Sequence, residues 1–417
     1  MYISGMKNPR PILLVSDAIS SSTGLGRITR DLAVRIHEHL GDVYRLATYG
    51  CGGTGSSKFP FPQYNMEGKT DWLLPSLPEV CKDFFGEEKG IIMTIWDACR
   101  LNWLATPRQC AELFGSFPGL QRWAIKRLFD LWGYMPIDSS GPNDKLTYPV
   151  MKTILGFDRL LAYGPFGEDV LRRTLGNYEA DKRHLTNLPH GVDSSVFYER
   201  DRFTSRSLFL ENTGAATLLS MLDPKTNRTR IPRDDEVLIG IVCTNQSRKD
   251  IPLALETCSI LARNRKLRVW LHTDILERCW SIPSLLVDYE LLDKAVISLG
   301  FLSDEIMAFA YSACDITLGP GAEGFGLPIA ESLACHTPCI TGSYAGAGDF
   351  VPEDMQVDSV AFRYDGSYSQ KRPVYRAEDW AKKAEEWIGK RAILDPRYDW
   401  DNLWLNEWEP WFREAAK

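Results

Sequence analysis

Short apolar runs recur along the chain, each followed by a segment of helical spacing. Pro11–Asp17 (PILLVSD) is apolar along nearly its whole length, the pattern of a parallel strand covered on both faces, and Arg27–Leu40 follows with Ile28, Leu32, Val34 and Ile36 at helical intervals. Val43–Tyr49 and Gly90–Ala98 (GIIMTIWDA) predict further strands, separated by a long Gly/Ser/Pro loop from Gly50 to Tyr64. Arg159–Tyr163 predicts a strand, Phe166–Leu175 a helix, and His184–Leu188 a strand that runs into Pro189-His-Gly-Val-Asp193. Residues 199–236 break this rhythm with polar, Arg-rich sequence and read as a connection plus an irregular excursion. Alternation then resumes. Val237–Cys243, Leu267–His272, Ala295–Leu299 and Asp315–Leu318 are strand-like, while Asp250–Arg263, Leu285–Leu292 and Glu305–Ala313 are helix-like. Two βα series in succession predict an α/β protein of two Rossmann-like domains, residues 1–195 and 196–395, with a helical segment at 396–417.

The 417 residues suit two or three domains. The formal charge of −7 argues against a surface that is wholly a polyanion footprint. No run of apolar residues is long enough to span a bilayer, and the N-terminus has no apolar core of the signal-peptide kind, so a cytoplasmic location is expected. Ten scattered cysteines, with no CxxC pair, read as reduced thiols. In Gln121–Asp138 the mixture of Arg122, Trp123, Lys126, Arg127, Trp132 and Tyr134 reads first as core aromatics with a solvated basic face. A stacking surface for a nucleic-acid acceptor is the alternative. The tail carries Trp380, Trp387, Trp400, Trp404, Trp408 and Trp411 at helical spacing, a core pattern rather than a sugar platform.

The candidate chemistry concentrates between Gly319 and Gly342. Glu323 and Glu331 bracket Gly-Phe-Gly-Leu-Pro-Ile-Ala, in which Pro328 suits the first turn of a helix. Backbone N–H groups around Gly324, Phe325 and Gly326 then stand at a helix N-terminus, where an anion is favoured, and each ionised carboxylate can accept two hydroxyls. Arg248 and Lys249 lie at the start of another predicted helix, where cations oppose the dipole unless an anion is near. That placement suggests a diphosphate; two solvent-facing charges are the alternative. Gly24-x-Gly26 follows the first strand and offers a second phosphate-facing loop or a plain tight turn, and the third glycine of a dinucleotide fingerprint is missing. Asp97, at the end of a strand, either lines a site or caps the helix near Leu101.

Together, Glu323-Gly-Phe-Gly-Leu-Pro-Ile-Ala-Glu331, Arg248-Lys249, Pro189-His-Gly-Val-Asp193, Gly300-Phe-Leu-Ser-Asp304 and Gly24-x-Gly26 resemble the retaining GT-B glycosyltransferases of family 4. The resemblance implies two Rossmann-like domains facing a cleft, with the C-terminal helix returning to the first domain. It implies that Glu331 binds the ribose of a nucleotide sugar, that Glu323 binds the transferred sugar beside the N–H groups of Phe325, Gly326 and Leu327, and that Arg248 and Lys249 neutralise the diphosphate. The Gly24 and Gly26 region would assist, and Phe301 and Leu302 would meet the base. Asp97 would be a base or anchor for the acceptor hydroxyl. The implied donor is a UDP- or GDP-hexose, a substrate and not a cofactor. No metal site is expected, since no Asp-x-Asp stands in a fitting place. Two departures stand out: Thr244 occupies the position where many members carry an arginine, and no histidine marks the first-domain catalytic loop. Three other functions are weighed against transfer to a glycan or small glycoside: transfer to a nucleic-acid base, non-catalytic nucleotide-sugar binding, and a dinucleotide oxidoreductase.

Overall fold

Two parallel sheets organise the molecule, whose computed structural model describes residues 8–53, 59–66, 76–110, 118–222, 232–233, 235–275 and 279–417. The chain divides into two compact units, Met1–His190 with Asn402–Lys417, and Gly191–Asp401.

In the first unit, β1 (Arg10–Asp17), β2 (Tyr44–Cys51), β3 (Gln63–Met66), β4 (Gly90–Ile95), β5 (Phe129–Met135), β6 (Arg159–Ala162) and β7 (Thr186–Asn187) form a seven-stranded sheet in the order β3-β2-β1-β4-β5-β6-β7. Every pairing is parallel, and helices such as α1 (Gly24–His39), between β1 and β2, make most of the crossovers. Burial on both faces explains the uninterrupted apolar runs: Ile12, Leu13 and Leu14 have no exposed surface. The C-terminal helix does return to this unit. Phe412 accepts a hydrogen bond from the Tyr44 hydroxyl through its carbonyl at 2.8 Å, and the Trp408 indole N–H donates to the Pro189 carbonyl at 3.0 Å. Trp404 and Trp408 are buried there, as their spacing predicts.

The second unit repeats the design with β8 (Val237–Val242), β9 (Leu267–His272), β10 (Ala295–Ser298), β11 (Ile316–Gly319), β12 (Cys339–Gly342) and β13 (Gln356–Val357), in the order β10-β9-β8-β11-β12-β13 and again parallel. Its helices include α2 (Ile251–Ala262), α3 (Asp304–Ala313) and α4 (Leu327–Ala334). A separate antiparallel hairpin joins β14 (Ala361–Asp365) to β15 (Gln370–Val374).

Residues 199–236 are more ordered than their composition suggests. Short helices occupy Arg202–Ser207, Phe209–Thr213 and Leu218–Leu222, Ala216 bridges Ile297 of β10, and Phe209 packs edge-on against Trp270 of β9. Two of the charges that make the segment look like a linker face a buried carboxylate. Arg202 and Arg206 both pair with the buried Asp315, which also accepts the Leu238 N–H at 2.7 Å, so this segment is clamped between β8 and β11. Part of it, 223–231 and 234, lies outside the described residues, as do 54–58 of the expected Gly50–Tyr64 loop. The end of that loop is β3, an edge strand beside β2. No described helix is long and apolar enough to cross a membrane.

Candidate functional site

Both sheets reverse their strand order at one place, between β1 and β4 in the first unit and between β8 and β11 in the second. In an open α/β sheet the loops after the strands on either side of such a reversal splay apart, and the crevice at their carboxyl ends takes ligands. In the second unit those two loops carry Arg248 and Lys249 after β8, and Glu323 after β11.

The structure brings these three side chains together. Lys249 bonds Glu323 through Nζ and Oε1, and Arg248 Nη1 donates to Glu323 Oε2 at 3.1 Å and to the Ala322 carbonyl at 3.0 Å. Burial by itself would raise the Glu323 pKa, but Lys249 and Arg248 overcome it and hold the carboxyl down to about 2, so it is ionised throughout the neutral range. Lys249 is 8% exposed, and burial lowers its pKa against the pull of Glu323. Two cations facing one carboxylate leave a surplus positive charge in a largely buried cluster.

Local geometry enforces this arrangement. The two loops are tied by a hydrogen bond from the Ala322 N–H to the Arg248 carbonyl at 3.3 Å, and the Gly346 N–H donates to the Glu323 carbonyl at 2.8 Å. A Cβ at position 346 would overlap the Gly324 carbonyl, so only glycine permits this approach. Gly326 enters α4 with φ 109°, a left-handed conformation that glycine adopts without strain, and Pro328 sits in the first turn as expected. The N–H groups of Gly324, Gly326 and Leu327 make no hydrogen bond to another described residue and stand at the helix end. Phe325 turns inward: it is buried and stacks on Phe350 with ring centroids 4.8 Å apart. Its side chain is thus an anchor for the loop.

Glu331 is one turn into α4 and almost fully buried, with one carboxylate oxygen accepting from the Tyr311 hydroxyl at 3.0 Å. Sequence reasoning missed Tyr311, because nothing in its local pattern on α3 distinguishes a tyrosine that orients a carboxylate from a core aromatic. Phe301 is 66% exposed and Leu302 half-buried in the loop after β10, which ends where Ser303 caps α3. Thr244 precedes Asn245, whose buried amide fixes the loop by donating to the Asp274 and Trp280 carbonyls at 3.1 and 2.8 Å.

In the first unit, the Gly24-x-Gly26 loop is a helix entry. Thr23 caps α1, accepting the Gly26 N–H through its hydroxyl at 3.1 Å and donating to Asp17 Oδ2 at 2.6 Å. The tight-turn reading therefore accounts for Gly26, whose N–H is engaged, while Gly24 is exposed at the first position of α1. Asp17 also accepts the Trp96 indole N–H at 3.2 Å, so β1 and β4 are joined across the strand-order reversal, a contact the sequence did not indicate. Asp97 makes no side-chain cap to the turn it precedes; it is half exposed and faces Arg100 at 3.4 Å. Capping is not its role. His190 is no substitute for a first-domain catalytic histidine: it is fully buried against Tyr134, 2.7 Å from the tyrosine hydroxyl, and burial lowers its pKa to about 3. The Gln121–Asp138 stretch is not a stacking platform. Trp132 and Tyr134 are buried in β5, and Trp123 stacks on Phe129.

Residues 283–356 match the family described as glycosyl transferases group 1, a segment that contains Phe301, Glu323 and Glu331 but neither Arg248 nor Lys249. No curated protein matches the chain by sequence. Solved structures do resemble it in fold along almost its whole length. A glycosyltransferase from Rickettsia africae superposes with a TM-score of 0.63 at 17% identity, covering 99% of this chain and 100% of that one. Anabaena HepE in complex with UDP-glucose gives 0.61 at 11% identity, covering 97% and 98%. The catalytic domain of starch synthase IV from Arabidopsis thaliana, bound to ADP and acarbose, gives 0.58 at 12% identity, covering 98% and 100%. The two-sheet fold is thus that of GT-B glycosyltransferases, and residues 283–356 carry the segment characteristic of group 1.

Proposed function

We propose that the protein is a retaining glycosyltransferase that moves a hexose from a nucleoside-diphosphate sugar to a hydroxyl acceptor on a glycan or small glycoside. The observation that carries this reading is the meeting of Glu323 with Lys249 and Arg248 at the strand-order reversal of the second unit. A buried carboxylate held ionised suits sugar hydroxyls, and the surplus positive charge beside the α4 N-terminus suits a diphosphate.

In this reading the bond from the anomeric carbon to the diphosphate oxygen breaks through an oxocarbenium-like state. Arg248, Lys249 and the N–H groups at Gly324, Gly326 and Leu327 stabilise the charge growing on the leaving diphosphate. Glu323 fixes the hexose, Glu331 the ribose under the control of Tyr311, and Phe301 with Leu302 the base. The acceptor oxygen bonds the anomeric carbon from the face that the phosphate leaves, and its proton passes to the leaving phosphate. Asp97, whose carboxylate is half exposed at the end of β4, anchors the acceptor hydroxyl. No disulfide joins any of the ten cysteines among the described residues, which fits a reducing cytoplasm.

The test is incubation of the pure protein with UDP-, GDP- and ADP-hexoses, alone and with a panel of sugar acceptors, followed by NMR. Release of nucleoside diphosphate and a product of unchanged anomeric configuration are expected. Inversion would overturn the mechanism. Tight nucleotide binding without turnover across the panel would favour the non-catalytic alternative.

A further inference from the structure

The β14–β15 hairpin lies beyond the matched segment and contributes nothing to the machinery described above, yet it places cations beside it. Its register sets Arg363 directly opposite Arg372, so both side chains leave the same face of the ribbon. Like charges in such cross-strand pairs are destabilising, and a ribbon that retains one gains from an anion between them. Arg372 is 5% exposed, donates to Gln370 Oε1 at 2.9 Å and faces Asp365 at 3.9 Å; Arg363 is exposed.

This face meets the turn that carries Arg248. The Ser247 hydroxyl donates to Asp365 Oδ2 at 3.3 Å, and a small surface cavity is lined by Ser247, Arg248, Asp250, Ala322, Arg363 and Arg372. Three arginines therefore line one space, with Asp250 in its wall and Asp365 beside it on Ser247 and Arg372. Burial raises the Asp250 pKa, against the pull of Arg363, which faces it across this space. Arg248 belongs to both places, because its Nη1 also reaches Glu323. A fork of N–H donors beside a serine hydroxyl matches a carboxylate or a phosphate.

We infer that this cavity is an oxyanion subsite adjoining the donor site, built to take a carboxylate or phosphate carried by one of the two sugar substrates. Its place in a reaction rests on the transferase reading above; its chemistry does not. A uronic-acid donor and a phosphorylated acceptor sugar present the same oxyanion, and binding measurements separate them.

The experiment compares wild type with Arg363→Ala and Arg363→Lys by calorimetric titration. The probes are inorganic phosphate, the pair glucose 6-phosphate and glucose, and the pair UDP-glucuronate and UDP-glucose, with the sugar and phosphate probes titrated both with and without saturating UDP. In UDP-saturated wild type, phosphate binding is expected that weakens as salt rises. At least one anionic member is expected to bind about tenfold or more tightly than its neutral partner. Arg363→Ala should bring that ratio close to one, and Arg363→Lys should restore part of it. A preference within the UDP-sugar pair assigns the anion to the donor, and a preference within the glucose pair assigns it to the acceptor. Absence of phosphate binding, or an anion preference that survives Arg363→Ala, overturns the subsite. If UDP does not bind, the donor reading is in difficulty, while the nucleotide-free phosphate and glucose titrations in the Arg363 variants still decide the subsite.

Discussion

Replacing Lys249 with alanine is expected to lower kcat/KM for sugar transfer by roughly 10²- to 10³-fold, the scale on which losing one stabiliser of developing charge acts. The variant removes a cation that lies beside the leaving diphosphate in the proposed reaction and that pairs with Glu323. A structural cost accompanies it, because a buried carboxylate then relies on Arg248; breaking a buried pair costs up to about 3–5 kcal/mol, and the surviving partner keeps the cost towards the lower end. The two effects can be separated. Glu323→Gln combined with Lys249→Met removes both charges, so it should recover thermal stability relative to Lys249→Ala without recovering activity. Circular dichroism melts read alongside steady-state kinetics decide the matter. Turnover of Lys249→Ala within about threefold of wild type would remove the residue from the chemistry.

The second large effect concerns stability. Asp315→Asn is expected to destabilise the second unit by about 3–5 kcal/mol, since it strips the shared counter-charge from the buried Arg206 and from Arg202. The Leu238 N–H can still donate to the asparagine carbonyl, so the loss isolates the charge. Hydrogen exchange at the β8 and β11 amides is the fitting readout, because it reports this unit by itself. Protection lowered by less than about 1 kcal/mol would show that the 202–222 helices are held by apolar contacts such as Phe209 on Trp270. Asp315→Asn paired with Arg206→Met should be milder than Asp315→Asn by itself.

These two residues also show where the sequence was legible and where it was not. Strands buried on both faces announce themselves as unbroken apolar runs, so β1, β4 and β8 could be read directly, and with them the doubly wound plan. β5 hid, because Asp130 interrupts its apolar pattern; that carboxylate pairs with Arg10 and Lys89, residues distant in sequence. The 199–236 segment hid for the same reason, Arg202 and Arg206 answering to Asp315 more than a hundred positions away. The hairpin had no signal, since β14 is exposed along almost all its length and buries no apolar face.

At the site, the residue types and their spacing located Glu323, Glu331, Arg248 and Lys249, because helix ends impose local rules on charge and on glycine. What spacing could not convey was contact. That Lys249 and Arg248 both hold Glu323, and that Tyr311 holds Glu331, depends on β8, α3 and β11 being brought side by side by the sheet. The glycine loop of the first unit shows the converse. Its motif left a phosphate loop and a tight turn both open, and Thr23, not visible as a cap from the GxG pattern, takes the Gly26 N–H.

The central claim is that Arg248 and Lys249 form a diphosphate site in the second unit. Calorimetric titration of UDP, GDP and ADP into wild type and into Arg248→Ala/Lys249→Ala tests it most directly, with hydrogen exchange at the β8 amides confirming that the variant is folded. The account predicts that at least one nucleoside diphosphate binds wild type, that its affinity falls as salt is raised, and that the double variant loses it by about a hundredfold or more. Binding that is equally tight in the folded double variant, or no binding of any of the three to wild type, would contradict it.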